Sequence, residues 1–337
     1  MSFCWQTLRL FAVVGVALSC LVASRVGAAE DPLRWKFEVG EKLDYSMVQE
    51  MSMSAAAGPA GQMNTTMRQD MDMTWDVQGV DKNTGEAVIK QKFERVKMKM
   101  TSPVFNIDYD SKSDAAPVGL AAQIAPMYKA MTNAEFEITM TARGEVKDVK
   151  IPEEVMTALK NSPGASQMGD IATPEGFKKM ISQGALVLPE KSPMKGEKWS
   201  TKVEMNNPQA GKQTVETTYT YDGTKDADGV TYAVIKPELK MTFGERPEGA
   251  KPQLSMKIVD QSSDGEILFN VSKGRLSSTT LKQNVTIEAK VASQTIQQKI
   301  DQKIEVKVTP AGEKKAEEAK EDEAAQKGED AAKKESK

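Results

Sequence analysis

The chain of 337 residues contains no histidine and only two cysteines. The missing imidazole excludes Ser-His-Asp and Cys-His catalysis, histidine-ligated zinc, iron or haem, and a histidine pH switch. Both cysteines, Cys4 and Cys20, fall in the first twenty residues, inside a stretch with the features of a secretory signal peptide. Arg9 closes a short n-region, and Leu10 to Ala23 is mostly apolar. Val26-Gly27-Ala28-Ala29 then supplies the small residues of a cleavage site after Ala28 or Ala29. The apolar run is shorter than the ~20 residues of a membrane span, and no other long apolar run exists. Cleavage removes thiol and disulfide chemistry and leaves an exported, soluble protein, periplasmic or extracellular, held by its core alone. Lipid anchoring at Cys20 is the rival outcome, against which Ala17 stands three before the cysteine where Leu is usual.

Charge excludes less. Setting aside Arg9 and Arg25, 43 of the 45 basic residues remain against 48 acidic ones, a net charge of −5. A mildly acidic, mixed surface gives no reason to expect nucleic acid or anionic membrane as partner. No transmembrane segment and no cofactor are implied. From Ala311 to Lys337 there are 7 Lys and 9 acidic residues, with no aliphatic larger than Ala. Such a tail cannot bury apolar surface and is expected to be disordered.

What is present is alternation. Leu43 to Val48, Met71 to Val77, Val285 to Val291 and Ile304 to Val308 place apolar and polar residues in turn, the period of a half-buried strand. Asn83-Thr84-Gly85, Asp228-Gly229, Asp264-Gly265 and Lys273-Gly274 supply tight-turn chemistry, so the sheet is expected to be largely antiparallel. Three helices interrupt it: Pro117 to Met131 with a kink at Pro126, one opened by Pro152-Glu153-Glu154, and one capped by Thr173.

The strand-rich stretches echo one another. Val39-Gly40-Glu41-Lys42 resembles Lys195-Gly196-Glu197-Lys198, Gly85 to Ile89 resembles Val230 to Ile235, and Arg143-Gly144 resembles Lys273-Gly274. The expected architecture is therefore mainly β (β-rich α+β), a curved antiparallel sheet or half-barrel from two related meanders with about three helices. The expected segments are a signal peptide at 1–29, a first meander with helices at 30–190, a second at 191–309, and the charged tail at 310–337.

Methionine is the compositional oddity: 20 in all, seven of them between Met47 and Met73. Met51/Met53, Met71/Met73 and Met98/Met100 are M-x-M pairs, which a strand places on one face about 7 Å apart. With Trp75 they form a candidate ligand-binding face for a lipid or other apolar small molecule, since methionine is pliable and polarizable. The same six sulfurs are the alternative ligands for copper(I), which accepts soft thioethers. Ordinary core packing is the third account, because Trp75, Val77 and Val96 continue the alternation without sulfur.

No catalytic constellation is found. Ser192-Pro193-Met194-Lys195 has the spacing of a Ser-Lys nucleophile but reads as a loop entering a strand. Asp108/Asp110 and Asp226/Asp228 read as strand and turn acids, and the latter lacks the terminal Glu of a calcium loop. The enzyme alternative that remains open is a carboxylate-dependent hydrolase.

Together, Trp35 to Tyr45, Met73 to Val77 followed by a Gly-Glu-Ala hairpin, Ile107 to Ser111, Phe136 to Val149, Leu188-Pro189 and Gly196 to Trp199 resemble an uncharacterised family of exported bacterial proteins, a domain of unknown function. The resemblance runs from about residue 34 to 308 and implies no catalytic residues. The helices-across-a-sheet arrangement also resembles periplasmic lipoprotein carriers of the LolA/LppX type, an architectural likeness.

Overall fold

A computed structural model describes residues 32–56, 62–162, 165, 169–207, 211–244, 255–291 and 294–311. The expected signal peptide and nearly all of the charged tail lie outside them. Strands β1 (Lys42–Ala56), β2 (Gln62–Val80) and β3 (Ala87–Thr101) form the first meander, followed by the short β4 (Asn106–Asp110). Helix α1 (Leu120–Asn133) precedes the hairpin of β5 (Glu135–Met140) and β6 (Val146–Lys150). Helix α2 (Glu153–Asn161), a 3-10 turn (Gly169–Ala172) and α3 (Pro174–Gly184) lead to the second meander. That meander comprises β7 (Lys198–Asn207), β8 (Gly211–Ala227), β9 (Val230–Phe243), β10 (Ser255–Asn270), β11 (Arg275–Val291) and β12 (Gln294–Pro310).

All twelve strands belong to one open sheet in the order β6-β5-β3-β2-β1-β12-β11-β10-β9-β8-β7, with β4 beside β3. The last strand returns to pair antiparallel with the first, from Leu43↔Pro310 to Ala55↔Gln298. That long-range pairing joins the two meanders edge to edge. At one end the sheet curls until its halves meet. Val77, Ile89 and Met140 of the first half share an apolar cluster with Tyr219, Ile235 and Phe269 of the second. Trp35 lies among them, stacked on Phe37 at 5.9 Å and edge-on to Phe269 at 5.5 Å.

The echoed segments make the same hydrogen bonds. The Gly40 N–H donates to the Val77 carbonyl and the Val77 N–H to the Glu41 carbonyl. In the second half the Gly196 N–H donates to Tyr221 and the Tyr221 N–H to Glu197. Both turns need a left-handed residue, supplied by Gly40 (φ 83°) and Gly196 (φ 87°).

Helix α1 begins at Leu120 rather than at Pro117, and Pro126 lies inside it as expected. Thr173 caps α3, its hydroxyl accepting from the Gly176 N–H at 3.1 Å. The 3-10 turn at Gly169–Ala172 has no counterpart in the sequence reading. One expected turn is not a turn: Asp264-Gly265 lies within β10. Gly265 is there for packing, because a Cβ at that position would sit 2.9 Å from the Pro237 ring and 2.7 Å from the Thr280 carbonyl. Pro237 has no N–H for the ladder. Backbone pairing of β9 with β10 accordingly covers only Tyr232 to Ile235. Beyond Pro237, side chains bridge the strands: Leu239 and Met241 donate their N–H groups to Ser263 Oγ at 2.7 Å and Gln261 Oε1 at 2.8 Å.

Candidate functional site: an uncharged inner face

Strand registers assign every residue to one of two faces, because side chains alternate along a strand. On β1 the face that turns toward the packed end carries Leu43, Tyr45, Met47, Gln49, Met51 and Met53. Opposite them on β12 stand Val308, Val306, Ile304, Gln302 and Ile300, and next on β11 Thr279, Leu281, Gln283 and Val285. The same face of β2 and β3 carries Val77, Trp75, Met73, Met71 and Met67, then Ile89, Phe93, Val96, Met98 and Met100. Among the described residues of β1 to β3, β7 and β9 to β12, this inner face holds no Asp, Glu, Lys or Arg; on β8 it holds one, Asp226, beyond the bulge near the strand's end. The outer face of the same strands carries the charges, in rows such as Asp264, Lys282, Lys303, Glu50, Arg68 and Lys99.

All seven sequence-predicted residues fall on the inner face, in different surroundings. Met71 and Met73 pack with Phe93, Phe136 and Phe177 beneath the helices. Met98 and Met100 pack with Met67, Ile107 and Ile124 under α1, and the Tyr128 hydroxyl lies 3.6 Å from the Met98 sulfur. Trp75 borders the cluster at the packed end and donates its Nε1–H to Gln91 Oε1 at 2.9 Å. Met51 and Met53 lie on β1, half-buried and outside all three apolar clusters. Registers set Met51, Met67 and Met100 in one row across three adjacent strands, an alignment of sulfurs that spacing within one strand could not reveal.

Glutamine is the polar component of this face. Gln69 approaches the Met71 sulfur at 3.7 Å, Gln213 lies 2.7 Å from that of Met241, and Gln298 bonds that of Met53. Amides paired with thioethers keep the face wettable without placing a charge on it.

Two phenols beside this face are displaced from their ordinary values. Burial pushes the Tyr128 and Tyr45 hydroxyls up, and nearby Arg275 partly offsets the effect at Tyr45. Tyr45 Oη is enclosed and has no hydrogen-bond partner. Tyr45→Phe is therefore expected to leave stability unchanged or raise it by about 1 kcal/mol. Urea unfolding checks this through the midpoint, and a lower midpoint would mean that the hydroxyl is paired. The carboxylates with displaced values are all lowered: Asp110 chiefly by the Arg95 guanidinium, Asp81 by the N–H groups of Thr84 and Asn83, Glu204 by Lys212 and Lys202.

Fold and faces together define a mainly β protein built as one open, curled antiparallel sheet, with helices against its first half, an inner face of β1, β12 and β11 without charged side chains among the described residues, and charge on the outer face. The chain belongs to a family of unknown function, DUF6263, whose model matches residues 84–274. That match runs from the turn before β3 to the turn after β10. The comparison with curated proteins returned no match. Among solved structures, one described by lipid–protein interactions in lipovitellin is 12% identical over 82% of this chain, with a TM-score of 0.44. This chain spans 26% of that one. DynF from the dynemicin biosynthesis pathway of Micromonospora chersina is 7% identical over 83% of this chain and 86% of its own, with a TM-score of 0.22. An outer-membrane channel from Pseudomonas putida F1 is 9% identical over 82% and 97%, also with a TM-score of 0.22. Likenesses this low say nothing of what the chain binds. Among the described residues no helix is long and apolar enough to cross a membrane.

Proposed function

We propose that this is an exported binding protein that holds an elongated apolar molecule, a fatty acid or lipid acyl chain, against the inner face of β1, β12 and β11. The observation that carries this reading is the absence of charge from that face among the described residues, where Met47, Met51, Ile304 and Leu281 are only half-buried. None of these four belongs to the three apolar clusters. From Met47 to Met53 the β1 surface runs about 20 Å, longer than the ~15 Å depth of one leaflet of a bilayer's hydrocarbon core. Flexible methionines suit a ligand of variable shape. Export rests on the signal-peptide features of the first 29 residues.

Titration with a fluorescent fatty acid such as cis-parinaric acid tests it. The wild type is expected to bind, and Ile304→Glu, which puts a carboxylate on the inner face, to bind at least about tenfold more weakly. Ser278→Glu, on the outer face opposite Lys307, is expected to bind like wild type; equal behaviour of the two variants would overturn the reading. Copper(I) at the Met51, Met67 and Met100 row is the second reading, supported by their alignment. Replacing all three by Leu separates the two. The fatty-acid reading expects binding to persist on a face still apolar, whereas the copper reading expects metal binding to vanish.

A further inference from the structure

On the opposite face, the same strands form a groove of ≈ 570 Å³ that crosses five of them, from β3 through β2, β1 and β12 to β11. Its length is about 19 Å, four inter-strand spacings. One wall is a row of charges set by register: Lys99, Arg68, Glu50, Lys303 and Lys282. The adjoining row is hydroxylic and amidic: Thr101, Thr66, Ser52 and Asn284, with Asp301 among them. Arg68 stands directly opposite Lys99, and Lys303 directly opposite Lys282. Like charges facing each other across a ladder destabilise a sheet. The row holds two such pairs, with Glu50 between them and Asp108 and Asp264 at its ends.

Part of this charge is already used. Arg68 is paired with Glu50 at 2.6 Å and with Asp70 at 2.9 Å, and Lys303 with Glu305 at 3.0 Å. Asp301 is paired with Lys299 at 3.5 Å. Lys99 and Lys282, at the two ends of the row, enter no salt bridge among the described residues. Each like-charge pair thus keeps one cation outside any salt bridge, with Asp108 opposite Lys99 on β4 and Asp264 opposite Lys282 on β10. The pairs are centred three inter-strand spacings apart, about 14 Å.

From this arrangement we infer that the outer groove binds an extended acidic oligosaccharide. Two of its carboxylates or other anionic groups sit on the Arg68–Lys99 and Lys303–Lys282 pairs, and its hydroxyls meet Ser52, Thr66, Thr101 and Asn284. Met51, Met67 and Gln302 also border the groove, but register puts them on the inner face, so the charged row stands whether or not that face takes up an apolar molecule. Separate anionic groups suit the row better than one compact anion does, because Glu50 lies between the two cationic pairs and repels charge placed at the centre. Neutral sugars would satisfy the hydroxyl row and leave the lysines unused.

Isothermal titration calorimetry of the full chain with hexagalacturonate, maltohexaose and tripolyphosphate tests this. Hexagalacturonate is expected to bind, and raising salt to about 0.5 M to weaken it. Maltohexaose is expected not to bind measurably. Lys99→Ala/Lys282→Ala removes only exposed cations that make no salt bridge, so its fold is expected to be intact by circular dichroism and its affinity to fall about tenfold. Lys82→Ala/Lys112→Ala removes the same charge outside the groove and is expected to bind like wild type. No binding of hexagalacturonate, or an equal loss in both double variants, overturns the inference. Tripolyphosphate binding as tightly as hexagalacturonate and competing with it overturns the sugar and leaves a site that reads charge alone.

Discussion

Gly144→Ala is expected to destabilise the protein by about 4 kcal/mol, enough to unfold a marginally stable domain. Gly144 sits in the β5–β6 turn at φ 93°, and a Cβ there would lie 2.1 Å from the Leu186 carbonyl oxygen and 2.6 Å from Trp35 Nε1. Those two atoms are hydrogen-bonded to each other at 3.1 Å inside the core. A methyl group at this point has to displace the bond that fixes the indole of Trp35, around which Phe37, Trp75 and Phe269 are arranged. The left-handed conformation contributes about 1–2 kcal/mol, the ruptured buried bond about 1–3, and overpacking the remainder. Gly40→Ala is the matched control. It has a similar φ of 83° but nothing within 4 Å of its Cβ position, so only the conformational part, about 1–2 kcal/mol, is expected. Equal losses in the two variants, measured by urea unfolding, would mean that the indole contact contributes nothing.

Glu41→Ala is expected to cost about 3–5 kcal/mol. Glu41 forms an ion pair with Arg275 in which the side chains are only 13% and 16% exposed, where β1 begins beside the start of β11. Arg275 Nε is enclosed and has no partner of its own, so removing the carboxylate strands a buried guanidinium. The variant Glu41→Leu/Arg275→Met removes both charges and is expected to be more stable than Glu41→Ala alone, because an apolar pair needs no compensation. A double variant less stable than Glu41→Ala would show that the ion pair holds the halves by direct attraction and not by avoidance of an unpaired charge.

The inner face was legible because one rule produces it. Alternation puts Met51 with Met53, and Met71 with Met73, on the same side whatever the strands pair with. The turns Gly40 and Gly196 were legible from their shared Gly-Glu-Lys pattern, and the hydrogen bonds to Val77 and Tyr221 show why both halves keep it. Asp264-Gly265 misled because a glycine after an aspartate resembles turn chemistry, while the reason for Gly265 lies nearly thirty residues away in Pro237. Pairing of β1 with β12 links residues more than 240 positions apart, and no local pattern encodes it. Without that pairing the outer groove cannot be assembled from sequence, since it depends on the register of strands from both ends of the chain; the Met51 row needs only the registers of β1, β2 and β3. The lysines of the groove are ordinary wet-face residues until Lys303 is set beside Lys282 and Glu50.

The central claim is that the charge-free inner face holds an apolar chain. Photo-crosslinking a diazirine-bearing fatty acid to the intact protein, followed by mapping of the labelled residues, tests it most directly. The account predicts labels on Met47, Met51, Ile304 and Leu281, suppressed by excess unlabelled fatty acid. Labels spread over the outer rows, or labelling that excess ligand does not suppress, would contradict it.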